Sequence, residues 1–380
     1  MKKEVLTLTI IIVSLICGCT EPPTKMVKIE TIEYKKEISL QKLFEIFVKE
    51  IEVIPLENSK ESMIGEYPGF EMFDNFFYIY NTSYNPKYVK KIMKFDYNGR
   101  FVNNIGLIGR GPEEFTDFRD ITVEKRGVLV LSSGKDKTIY RYDHNGKFIN
   151  KTALDEMPLQ IFSYKEGYLL SYGFNYEKGR VVYTDSIGNS GKPLLNEKKF
   201  FISSEDNQAI SSSCNDFLTF KESFSDTVYR IADFEVKPAY VFDMKEFSTS
   251  PHFFNFKEGE SNITTHIMNS KISSIYYFHE NQRYILSSTS FLSKENSFIS
   301  CMIKDKIKNE FEWVRFNKND ATNSLLSSVI MTDNNEIYSV ITPATLLALP
   351  DSTLSLVKNR EVLNNLREDD NHVILKISLK

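Results

Sequence analysis

The 380-residue sequence predicts an all-β chain folded as a six-bladed β-propeller of four-stranded blades. The first observation behind this is a repeated hairpin. Phe95-Asp96-Tyr97-Asn98-Gly99-Arg100-Phe101 returns as Tyr142-Asp143-His144-Asn145-Gly146-Lys147-Phe148. Each copy reads as an aromatic-ended strand, an Asn-Gly turn and a second apolar strand. Asn-Gly predicts a type I′ turn, whose two central residues both need φ > 0. A hairpin period in the forties fits a propeller blade, whose four strands take about 40–50 residues. The second observation is composition: Phe 29 and Tyr 20 against Trp 1, side chains suited to pleated, half-buried surfaces. The third is the strand count. The last blade is one strand short and the chain carries a surplus strand, 50–56, at its start. Donating that strand to the last blade closes the ring and removes two exposed edges.

Taken in order, the elements begin with a targeting segment. Lys2 and Lys3 precede the apolar stretch 5–16, too short to span a bilayer as a helix and suited to a signal peptide. It runs into Ile16-Cys17-Gly18-Cys19, which resembles the bacterial lipobox and implies a lipidated Cys19. Residues 20–28, polar and containing Pro22-Pro23, read as a tether. Ser39 as N-cap, with Leu40, Leu43, Phe44, Phe47 and Val48 at helical spacing, predicts a short amphipathic helix. The expected organisation is a signal peptide over 1–18, a lipid-anchored tether and short helix over 19–49, and a propeller over 50–380.

The blades then follow. Blade one takes strands at 70–73, 76–80, 92–96 and 101–105; blade two at 120–124, 128–131, 138–143 and 148–151. Blade three takes 159–163, 168–172, 181–185 and 192–195. Blade four takes 217–220, 227–231 and 239–243, with its first strand expected near 200–202. Blade five takes 272–278, 283–288, 298–303 and 311–316. Blade six takes 326–331, 336–341 and 372–378, with a helical insertion at 352–366. The polar run Ser211-Ser212-Ser213 reads as a loop, and His144 as an exposed turn residue.

The run Ile105-Gly106-Leu107-Ile108-Gly109-Arg110-Gly111-Pro112-Glu113-Glu114-Phe115 resembles the inter-blade segment of NHL-type repeats, G-x-x-G-x-G-P-G-E-F. With Ile54-Pro55-Leu56-Glu57 and Glu368-Asp369-Asp370-Asn371, the chain resembles the six-bladed β-propeller lipoproteins abundant in Bacteroidota. Two positions depart from the pattern: Glu113 stands where Gly is usual, and His372 where Pro commonly follows Asn. The resemblance implies an outer-membrane lipoprotein, facing the periplasm or the cell surface, without a catalytic role.

Residue chemistry points the same way. The formal net charge is −4, with both signs scattered, so there is no basic stripe for nucleic acid. His144, His252, His266, His279 and His372 fall in no metal spacing, so no metal or other cofactor is expected. Gly109, Gly111 and Pro112 shape a strand crossing; no helix start follows to bind phosphate. Cys214 and Cys301 have no framework spacing, and a bond between them stays open beside two free thiols.

Connections within the blades fall into two sets. Tight turns lie at 74–75, 98–99, 145–146 and 334–335. Long connections lie at 81–91, 106–117, 173–179, 244–271, 289–297 and 342–371. Strands alternate direction, so the two sets emerge on opposite faces of the disc. Long ordered loops gathered on one face mark it as the binding face. Its first candidates are Tyr84, Tyr88, Arg110 and Tyr176, with Phe174, Phe253, Phe254 and Phe291 as further aromatic surfaces. The expected partners are the membrane, through the lipid, and an envelope protein or glycan. The alternative is a metal-dependent propeller enzyme such as a lactonase or lyase.

Overall fold

The computed structural model describes residues 29–66, 68–81, 90–133, 136–174, 176–198, 210–212, 217–255, 263–316, 325–326 and 329–380. The described chain opens with β1 (Glu30–Glu33), α1 (Leu40–Phe47) and β2 (Val48–Pro55). Blade 1 is built from β3 (Gly69–Phe73), β4 (Phe76–Tyr80), β5 (Ile92–Asp96) and β6 (Phe101–Asn104). Blade 2 holds β7 (Phe118–Glu124), β8 (Gly127–Ser132), β9 (Thr138–Tyr142) and β10 (Phe148–Ala153). Blade 3 holds β11 (Gln160–Tyr164), β12 (Gly167–Ser171), β13 (Val181–Thr184) and β14 (Ser190–Leu195). Blade 4 holds β15 (Ile210–Ser212), β16 (Leu218–Lys221), β17 (Thr227–Ala232) and β18 (Glu235–Asp243). Blade 5 holds β19 (Ile272–Glu280), β20 (Tyr284–Leu292), β21 (Phe298–Asp305) and β22 (Glu310–Phe316). In blade 6, β23 (Val329–Met331), β24 (Glu336–Ile341) and β25 (Val373–Leu379) are completed by β2. This is the six-bladed propeller the repeats predict.

Closure works as the strand count requires. β2 pairs antiparallel with β25 from Val48 opposite Leu379 to Pro55 opposite Val373. Its outer edge is covered as well. Ile51 donates its N–H to Leu356 O at 2.9 Å and accepts from Lys358 N–H at 2.9 Å. The Asn359 amide bonds both the N–H and the C=O of Val53. The covering segment belongs to the helical insertion, which comprises α3 (Pro343–Leu347), α4 (Asp351–Leu354) and a 3₁₀ turn at Arg360–Asn364. Asn371 locks the junction from inside, only 2 % exposed. Its amide N–H₂ donates to Glu57 O and Ser62 O, both at 2.8 Å, and its oxygen accepts from Ile64 N–H at 3.1 Å and His372 N–H at 3.0 Å.

The apolar side chains fill the seams between blades. Phe70, Phe77 and Phe95 of blade 1 pack with Tyr338, Val340 and Ile374 of blade 6. Ile121, Val130 and Tyr142 of blade 2 pack with Tyr78 and Ile92 of blade 1. The seam between blades 5 and 6 is the largest and also takes Leu43, Phe44 and Phe47 from α1. The helix is capped where the sequence places its cap, Ser39 Oγ accepting from Lys42 N–H at 3.2 Å.

Four features differ from expectation. First, β1 adds to blade 4 as a fifth strand, parallel to β18, with Glu30 opposite Tyr240 and Glu33 opposite Asp243. Ile32 is buried against Phe278, Met302 and Trp313, so the segment before the helix is a strap sealing the seam between blades 4 and 5. Second, the repeated hairpin turns are not type I′. Gly99 (φ 81°) and Gly146 (φ 82°) are left-handed, but Asn98 and Asn145 are not among the positive-φ residues. Asp96 instead accepts from Asn98 and Arg100 N–H, and Asp143 from Asn145 and Lys147 N–H, which holds a type I turn followed by a left-handed Gly. Asp185-Ser186-Ile187-Gly188 makes the same turn without Asn. Each of these glycines also abuts the preceding blade: a Cβ at Gly99, Gly146 or Gly188 would crowd the carbonyl of Pro55, Asn104 or Ala153. Third, blade 4 begins with Ile210–Ser212, overlapping the Ser211–Ser213 run expected as a polar loop; residues 200–202 lie outside the described residues. Fourth, His144 is half-buried: its Nδ1 meets the Tyr78 hydroxyl at 2.7 Å and its ring stacks on Phe73.

Candidate binding face and axial channel

The first strand of each blade lines the axis. Side chains of these strands reach across to the next blade. Asp120 of β7 accepts from Ile161 N–H of β11 at 2.9 Å. The Gln160 amide brackets Ile210 of β15, donating to its C=O at 3.0 Å and accepting from its N–H at 2.9 Å. Ser211 Oγ donates to Phe278 O of β19 at 2.7 Å. His279 bonds the backbone of Val329 in β23, and burial pulls its acidity constant down to about 4. These buried bonds explain why a strand as short and polar as β15 forms: its partners are supplied by its neighbours.

Between blades 1 and 2 the wall changes character. Glu71 of β3 stands close enough to Asp120 of β7 to feel its charge. Burial first, and the Asp120 charge second, push the Glu71 carboxyl up to about 8. Burial raises Asp120 to about 7 despite its bonds from Ile161 and Ile121 N–H and the Arg119 charge, all of which lower it. Near neutrality the pair therefore retains a proton, presenting an O–H donor beside acceptor oxygens. Tyr80 completes the group; burial, then the charges of Asp120 and Glu71, raise its acidity constant well above the ordinary phenol value. Gly69 stands opposite Tyr80 across the β3–β4 ladder, and a Cβ there would collide with the tyrosine ring. Glycine thus lets the ring lie across β3. Gly69 begins β3 and Tyr80 ends β4, so the group sits at the long-connection end of the channel. A mixed donor–acceptor pair beside an aromatic ring suits hydroxyl or amine groups of a ligand.

The candidate residues from the sequence fall at different places. Tyr84 and Tyr88 lie outside the described residues, in the connection that follows Tyr80. Arg110 is exposed in the 106–117 crossing beside Leu107 and Ile108, themselves 63 % and 41 % exposed. That crossing is held by Glu114, whose carboxylate accepts from Gly111 N–H at 2.8 Å and fills the space a Cβ at Gly109 or Gly111 would need. Tyr176 stacks on Tyr172, centroids 3.9 Å apart and planes at 13°, so one of its faces is already covered. Phe174 and Phe253 are buried and hold the loops down, and Phe291 is buried within β20 in the seam under β1, so none of the three presents a surface. Phe254 takes the Lys198 ammonium 3.5 Å from its ring centre, in a cluster where Arg180 pairs with Glu222. Cys301 is a buried free thiol; Cys214 lies outside the described residues. Sequence reasoning misses Glu71, Tyr80 and Asp120. The signal for the two carboxylates is an acidic residue at the third position of the first strand in two consecutive blades.

A family model described as a domain of unknown function, DUF4934, matches residues 26–378. No curated protein matches the chain by sequence. A protein described as exported, from Bacteroides fragilis NCTC 9343, superposes with a TM-score of 0.73 at 17% identity, covering 93% of this chain and 99% of its own. A member of the DUF4221 family from Bacteroides vulgatus ATCC 8482 gives a TM-score of 0.56 at 10% identity, covering 87% and 98%. These likenesses establish the fold.

Proposed function

We propose that this chain, which belongs to the DUF4934 family, is a lipid-anchored propeller of the bacterial outer membrane that binds an envelope protein or glycan without catalysis of its own. The observation that carries the binding reading is the gathering of Glu71, Asp120 and Tyr80 at the end of the blades that leads into the long connections. A neutral-pH donor beside acceptors and an aromatic ring is the chemistry of reversible recognition. The anchor reading is supported by the Lys2-Lys3 start, the apolar 5–16 stretch and Gly18-Cys19, and by the exported description of the Bacteroides fragilis neighbour. Cys19→Ala should move the protein from the membrane to the soluble fraction without unfolding it; a mature N-terminus at any other residue removes the anchor. A stoichiometric, tightly held metal ion in the purified protein would favour the alternative of a metal-dependent enzyme.

A further inference from the structure

The outer hairpin turns are not alike around the ring. In blades 1 and 2 their tips carry Asn98 and Asn145. In three consecutive blades, 3, 4 and 5, they carry Ile187, Phe234 and Ile307, which are 76 %, 45 % and 75 % exposed. Ile187 and Ile307 are the most exposed large apolar side chains among the described residues. They are held outward by stiff turns. Asp185 accepts from Ile187 N–H, and Asp305 accepts from Ile307 and Lys308 N–H while Arg283 clamps it at 2.8 Å. Phe234 is propped edge-on by Tyr164 and Tyr183. Lys308 follows Ile307, while Lys306 before it is paired with Glu280 at 2.9 Å.

The middle of this arc is where the strap departs. β1 lies on the outer edge of blade 4, and Ile29 before it is 48 % exposed. One groove is lined by Glu30, Thr31 and Glu33 of the strap on one side and by Lys304, Asn309 and Phe311 of the Ile307 hairpin on the other. Cys19 and Ile29 are ten positions apart, a reach of at most about 35 Å. A lipid on Cys19 therefore keeps blade 4 near the bilayer.

We propose that the outer turns of blades 3, 4 and 5, through Ile187, Phe234 and Ile307, rest on the surface of the bilayer that holds the anchor. This inference builds on the lipidation of Cys19. Single isoleucine and phenylalanine tips bind a bilayer weakly alone, but the anchor confines them to its surface. These turns belong to the tight-turn set, so the long connections near Glu71 and Asp120 face away from the membrane.

The test uses the full lipidated chain in a Cys214→Ser background, where buried Cys301 does not react. Ile187→Cys, Ile307→Cys and, as control, Asn145→Cys carry an environment-sensitive fluorophore, with the protein in phosphatidylethanolamine–phosphatidylglycerol vesicles containing doxyl-labelled lipid. Quenching at 187 and 307 at least threefold stronger than at 145 is expected. Equal quenching at all three in vesicle-bound protein overturns the footprint and leaves the anchor standing. Failure of the chain to float with the vesicles overturns the anchor and the footprint together.

Discussion

Replacing Asn371 by alanine tests whether the ring is held shut by one buried amide. The substitution removes four hydrogen bonds. Glu57 O keeps a second partner, the Ser62 hydroxyl, and His372 N–H lies at the edge of the junction. The Ile64 N–H and the Ser62 C=O lose their Asn371 partner at residues 3 % and 0 % exposed. Two buried groups left unsatisfied, at about 1–3 kcal/mol each, give a loss of roughly 2–6 kcal/mol. Asn58→Ala removes an exposed bond to Asp370 on the same junction and should cost less than about 1 kcal/mol. Urea unfolding followed by circular dichroism and by the fluorescence of Trp313 measures both. Trp313 is fully buried beside the strap, away from the junction, so it reports whether the ring opens as a unit. A loss under about 1 kcal/mol for N371A, or separate transitions by the two probes, would refute the reasoning.

Three further outcomes follow from the same geometry. A chain starting at Ser59 should lose cooperative unfolding, because it lacks the closing strand. A chain starting at Lys36 should stay cooperative but be weaker by roughly 3–5 kcal/mol, from re-exposing Ile32 and Tyr34; equal melting of both truncations contradicts the closure. Gly146→Ala forces a Cβ at φ 82° into the Asn104 carbonyl and should cost more than about 1–2 kcal/mol, read as a fall in melting temperature; an unchanged melting temperature denies the seam contact. The third concerns pH. Glu71 and Asp120 have acidity constants raised to about 8 and 7, so the folded state holds their protons longer and loses stability as pH rises through that range. His279 and His372, lowered to about 4, act oppositely but only up to the ordinary histidine range. Between about pH 6.5 and 8, Glu71→Gln should gain up to about 2 kcal/mol over the parent, and parallel curves would show that Glu71 does not hold its proton into that range in the folded state.

The parts legible in the sequence are those whose cause is local. Phe76–Tyr80 and Thr138–Tyr142 declare themselves as strands by their own aromatic and branched residues. The Gly of each repeated turn is visible too; the turn type is not, because the controlling group is the Asp three residues before that Gly. What stays hidden depends on distant partners. β1 has one apolar residue, Ile32, and exists because β18 and blade 5 receive it. β15 has none of the usual strand signal beyond Ile210 and is held by Gln160 and Phe278. Glu71 and Asp120 become a pair only when blades 1 and 2 pack together. Loop length points to the end of the channel where that pair lies, while most of the loop aromatics are packing groups.

The central claim is that the long-connection face receives the partner. A photo-crosslinking amino acid placed singly at Tyr88, in the sequence between β4 and β5, at Arg110 on that face, and at Arg126 and Asn335 on the tight-turn face, tests it in living cells and needs no identified ligand. The account predicts discrete adducts at positions 88 and 110 and none at 126 and 335. Adducts confined to 126 and 335 would contradict it.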